Sequence, residues 1–197
     1  MNSESDLTCQ FLVILCRILN IQNPATTSLL RTATRTISNL CRGRLSLPLE
    51  AVDPVLQTLL SLLCRDVECD IAIKAMWALS YIAGADNEYH RQRMMETSLM
   101  AKLVEIIKSD CTPALIAPAL QCIGRLVAGE QTQKVLDSRI LKYISHLLEH
   151  STVRYICELF AEIIFSFKAH HSYCLSLKEK HKEGSMLGSF EDCWWNF

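Results

Sequence analysis

One eight-residue pattern recurs along this chain at a spacing close to forty residues, and that recurrence limits the fold more than any other feature. Ala33-Thr-Arg-Thr-Ile-Ser-Asn-Leu40 aligns with Ala75-Met-Trp-Ala-Leu-Ser-Tyr-Ile82, and Ala119-Leu-Gln-Cys-Ile-Gly-Arg-Leu126 aligns with both. A weaker fourth copy is Cys157-Glu-Leu-Phe-Ala-Glu-Ile-Ile164. The copies begin at 33, 75, 119 and 157, in steps of 42, 44 and 38 residues. A further apolar segment with helical spacing precedes each copy, at 11–19, 55–63, 99–107 and 140–148. Gly43, Gly84 and Gly129 each follow an apolar-periodic stretch and are placed to end a helix, where glycine accepts the left-handed conformation.

A unit of this length with two or three helices cannot bury its apolar face alone. It has to stack on its neighbours, and about 42 residues is the armadillo or HEAT period. The expected fold is therefore all-α, a right-handed armadillo superhelix of about four repeats. The expected boundaries are 1–43, 44–85, 86–129 and 130–171, with 172–197 as a disordered tail. Composition agrees. Half of the 197 residues are hydrophobic and 21% are charged, too apolar for a disordered chain, and 6 Gly with 5 Pro is too few for a turn-rich all-β fold.

Helical projection assigns the faces. Advancing about 100° per residue, Ala75, Leu79 and Ile82 share one side of their segment. Ala33, Ile37 and Leu40 do the same, as do Ala119, Ile123 and Leu126. That stripe is the expected core. Trp77 and Tyr81, four apart, project to the other side. Two readings follow for Trp77: it lines an open surface, or it packs against an adjacent repeat.

Several stretches resemble the armadillo domain of the importin alpha family. They are Thr36-Ile-Ser-Asn-Leu-Cys-Arg-Gly43 with Pro48-Leu-Glu-Ala-Val52, Trp77-Ala-Leu-Ser-Tyr81, Pro118-Ala-Leu120 followed by Ile123-Gly124, and Glu130-Gln-Thr-Gln133 with Val135. The similarity runs over residues 28–150 and more weakly over 1–170. It implies an adaptor that holds nuclear localisation signals in extended form for nuclear protein import, working in cytoplasm and nucleus. In that family the third helix of each repeat lines a concave groove and carries a Trp with an Asn four residues later. The Trp rings form slots for Lys and Arg stems, and the Asn amides bond the peptide backbone. Both roles are physically sound, since an aromatic face attracts a cation by ~0.5–2 kcal/mol and an amide both donates and accepts.

Carried over by position, the resemblance implies Arg35 and Asn39 in the first copy, Trp77 and Tyr81 in the second, and Gln121 and Arg125 in the third. Leu159 and Ile163 replace both groups in the fourth. Trp77, Tyr81 and Asn39 are the expected surviving contacts. Arg35 and Arg125 either set like charge against a basic peptide, weakening it, or bend to solvent. Residues 1–8 are short and acidic rather than basic, which argues against coupling to importin beta. The competing expectation is a degenerate, non-transporting armadillo scaffold or competitor.

Other chemistry finds little support in the residues. Twenty basic and 21 acidic residues give a net charge of −1, so no nucleic-acid partner is expected. The best apolar run, 11–16, stops at Arg17, so no membrane span is expected. No phosphate-binding loop, dinucleotide fingerprint or nucleophile elbow is present, and the chain reads as a non-enzyme without cofactors. His146 and His150 flank Glu149 in the wrong order for a metalloprotease helix. His170, His171, Cys174, His181 and Cys193 lack the close cysteine pairs of a zinc site, so no metal is expected. The ten cysteines read as free, mostly buried thiols of a reducing compartment, and Cys64 and Cys69, which straddle a helix boundary, as buried or incidental ones.

Overall fold

The computed structural model describes residues 3–20, 27–42, 47, 49–65, 67–85, 87–109, 112–127, 132–138, 140 and 143. The fourth copy, Gly43, Gly129, the histidine pair at 146 and 150, and the tail lie outside these residues. Among the described residues all regular structure is helical. In chain order the helices are α1 (Ser3–Asn20), α2 (Thr27–Arg42), α3 (Leu49–Cys64), α4 (Cys69–Ala83), α5 (Glu88–Met95), α6 (Leu99–Lys108), α7 (Pro113–Val127) and α8 (Thr132–Asp137).

The helices carrying the repeated octet, α2, α4 and α7, stack side by side in that order and make the most extensive contacts among the described helices. Behind them α1 packs on α2, α3 on α4 and α6 on α7, and α1 also meets α3. The expected stripe is the seam. Ala33, Ile37, Ala75, Leu79, Ile82, Ala119, Ile123 and Leu126 are all buried, and Leu40 packs against them half-buried. Small side chains at Ala75, Ala78 and Ala119 let neighbouring backbones approach closely. Ile71, Met76, Leu79 and Leu120 fill the space between them.

Polar contacts between successive units fix the register. Asn20 donates from Nδ2 to Thr58 Oγ1 at 2.9 Å, and Arg65 donates to the Leu19 carbonyl at 3.2 Å, near the C-terminal end of α1. Pro54, inside α3, donates no backbone hydrogen bond. Its own carbonyl takes an extra bond from Thr58 Oγ1 at 2.7 Å. Arg93 of α5 reaches back to α3 and grips both Asp53 oxygens, at 2.9 and 2.8 Å. Asn87 caps α5 by accepting the Tyr89 N–H at 3.0 Å.

The glycine expectation needs a correction at Gly84. It does follow the last residue of α4, but its φ of −84° is right-handed, open to any residue. Its reason for lacking a side chain is spatial: a Cβ there would lie 2.7 Å from Cδ of Arg125.

His90 of α5 is fully buried, with its Nε2 3.4 Å from Asn87 Nδ2. Burial pushes its pKa below the usual 6.5, the Leu47 backbone opposes this, and the neighbouring Arg91 charge adds to it. Protonation therefore favours the unfolded chain. Stability should be intact above about pH 6.5 and fall as pH drops below it. Thermal melts across pH 7.5 to 5 should show this loss, and His90→Phe should flatten it. For the seam itself, Leu79→Ala should cost roughly 2–5 kcal/mol in denaturant titration, whereas Gln57→Ala on the exposed side of α3 should change stability by less than about 0.5 kcal/mol.

Candidate functional site

The face of the α2–α4–α7 layer that turns away from the core carries the six residues singled out in the sequence. On α2, Arg35 and Asn39 are exposed. On α4, Trp77 and Tyr81 are half-buried and stack on each other, with ring centroids 5.7 Å apart and planes 26° from parallel. Trp77 is outside the buried core cluster, whereas Tyr81 also leans against it. Trp77 is therefore not one of the residues buried in the seam. On α7, Gln121 and Arg125 are half-buried.

The α4 and α7 members meet. Ser80 donates from Oγ toward Gln121 Oε1 at 3.4 Å. Arg125 donates through Nη1 to the Ser80 carbonyl at 2.7 Å and reaches Ser80 Oγ at 3.1 Å. Its guanidinium carbon lies 5.6 Å from the centre of the Tyr81 ring. Arg125 thus does not bend to solvent; it lies along the C-terminal turn of α4, with its charge over the Tyr81 ring. On the α2 side, no hydrogen bond among the described residues joins Arg35 or Asn39 to the aromatic pair.

Three further groups on this face escaped the reading by motif. Arg31, one turn before Arg35, pairs with Glu68 and with Asp70, the latter at 2.5 Å, where α4 begins. The i, i+4 spacing of Arg31 and Arg35 was the available signal. Ser80 is the polar one among the buried residues of α4, and it reaches this face only through its bonds with Arg125. Lys74 is exposed one turn before Trp77. Apart from Glu68 and Asp70, both engaged by Arg31, the described residues place no carboxylate on this face.

Comparison with known proteins agrees with the geometry. No family profile matches the chain. Importin subunit alpha-3 of Arabidopsis thaliana is 34% identical over 126 residues, which is 63% of this chain and 23% of that protein. Importin subunit alpha-1b of Oryza sativa subsp. japonica is 36% identical over 126 residues, with the same coverage. Importin subunit alpha-B of Dictyostelium discoideum is 38% identical over 112 residues, 56% of this chain and 21% of that one. Among solved structures, a designed armadillo repeat protein in complex with the peptide (KR)4 superposes with a TM-score of 0.69. It covers 79% of this chain and 63% of the designed one at 23% identity. The chain has the armadillo fold and is similar in sequence to importin alpha subunits. It spans about a quarter of the length of the curated relatives it matches.

The described residues contain no cluster of three or more His, Cys, Asp or Glu side chains arranged to hold a metal ion. No helix among them is long and apolar enough to cross a membrane. The zinc candidates of the sequence lie outside the described residues. The cysteines divide. Among the described residues Cys16, Cys41 and Cys122 are buried, Cys9 is half-buried, and Cys64 and Cys69 are exposed, the incidental rather than the buried reading of that pair. Both exposed thiols sit where helices end and begin, beyond the reach of the seam. Burial pushes the Cys41 and Cys122 thiols up to about 12, where almost no thiolate exists at neutral pH. Mass mapping after brief iodoacetamide treatment of the folded protein should find Cys64 and Cys69 modified, and Cys41 and Cys122 untouched until unfolding.

Proposed function

We propose that this chain is a peptide-binding adaptor of the importin alpha type, holding an extended segment across α2, α4 and α7. The observation that carries this reading is the Trp77–Tyr81 stack, partly exposed on α4, with Asn39 exposed on the neighbouring α2. A flat aromatic surface accepts the aliphatic stem and cationic head of a Lys or Arg side chain. A free amide one helix away bonds an extended backbone. The names of its relatives support nuclear import as the process, with proteins bearing nuclear localisation signals as partners, in cytoplasm and nucleus. The fold shared with a (KR)4-bound designed protein supports a basic ligand. Trp77, Tyr81, Asn39 and Gln121 are its contacts, and Arg35 and Arg125 lower its affinity.

A second reading is a non-transporting scaffold or competitor, favoured by one observation: Glu68 and Asp70 are already engaged by Arg31. The two readings separate by titration. A basic localisation-signal peptide should bind the wild-type chain, and Trp77→Ala should weaken it roughly tenfold, as expected for losing one slot wall and its cation contact. Asn39→Ala should weaken it by a smaller factor. Equal binding by wild type and Trp77→Ala, or none by either, removes the transport-adaptor reading.

A further inference from the structure

The contacts of Arg125 are those a basic ligand would make. Its guanidinium lies over an aromatic ring, and its Nη1 donates to a backbone carbonyl. Its stem crosses the site where any residue but glycine would put a side chain. A Cβ on Gly84 would stand 2.7 Å from Cδ, 2.9 Å from Nε and 3.0 Å from Cζ of Arg125. Because φ at Gly84 is −84°, alanine meets no backbone strain there and would act only by displacing the arginine. The same pattern stands at the other end of α4, where Arg31 occupies the two carboxylates.

We propose that Arg125 is a tethered occupant of the cation site on Tyr81, a guanidinium supplied by the chain itself, seated in a notch that Gly84 leaves open. It excludes a Lys or Arg side chain of a bound peptide from that register. The half-buried Trp77, with the exposed Asn39, then takes the cationic position, and the Tyr81 register selects a neutral residue. This rests on the peptide-binding reading and sets its specificity. A brace for the end of α4 would use the same bond to Ser80. A purely repulsive charge would act from anywhere on the face. The two alternatives differ from a seated occupant in what frees the ring.

The test is the affinity of the full chain for a fluorescent (Lys-Arg)4 octapeptide, read by anisotropy, with a melting temperature for each variant. Arg125→Gln removes the occupant, and Gly84→Ala evicts it while keeping its charge. Both should tighten binding about three- to tenfold, the worth of one partly desolvated cation contact. Arg35→Gln removes an equal charge from the same face with no ring contact and should tighten binding less. Adding Tyr81→Ala to Arg125→Gln should cancel the gain. Equal gains from Arg125→Gln and Arg35→Gln would reduce the effect to charge and overturn the proposal. Unchanged binding by Arg125→Gln, or by Gly84→Ala, would leave Arg125 a brace and overturn it too. Octapeptide binding by none of these proteins would instead remove the peptide-receptor reading beneath it.

Discussion

Everything in this molecule depends on one packing relation, the burial of the α2, α4 and α7 stripes against one another. None of the three helices could hide its apolar side within its own unit, because each is wider in hydrophobic arc than one partner can cover. Once stacked, α4 has a neighbour on each flank, and its Ala75, Ala78, Leu79 and Ile82 are almost completely removed from water. The outward side of the layer is what remains after that demand is met. It is thus a repeated surface, with one row of side chains per unit, and any ligand that follows it has to be long and extended.

Fold and seam were legible from residues because they rest on periodicity. The octets at 33, 75 and 119 place their apolar positions at helical spacing, and burial follows that spacing position by position. The outward direction of Trp77 was legible for the same reason. What a one-dimensional reading could not supply was contact between rows. Arg125 and Ser80 are 45 residues apart, and no local pattern announces that one will donate to the other. The role of Gly84 was misread on the same account. A glycine after a helix suggests a backbone demand, yet here the demand comes from a side chain three helices further along the sequence.

Electrostatically the outward face is unlike a simple receptor for basic segments. Arg35, Lys74 and Arg42 are exposed on it, and the carboxylates beside them are held by Arg31. Surface ion pairs of this kind contribute little to stability. Their effect is on recognition, because a carboxylate already bound to one guanidinium has little left to offer another. The aromatic pair therefore matters more here than it would on an acidic surface. Dispersion and ring electrostatics still act when the Coulomb term is unfavourable.

The polar ties between units run from one neighbour to the next, as Asn20 to Thr58, Arg93 to Asp53 and Arg125 to Ser80 show. A body linked in this way behaves mechanically as a spring. A slight rotation at each junction adds to the next, so the rows of α2 and α7 can shift relative to each other while every individual interface stays nearly unchanged. The pitch of the stack, rather than the shape of any single pocket, then sets which residue spacing along a bound strand fits without tension.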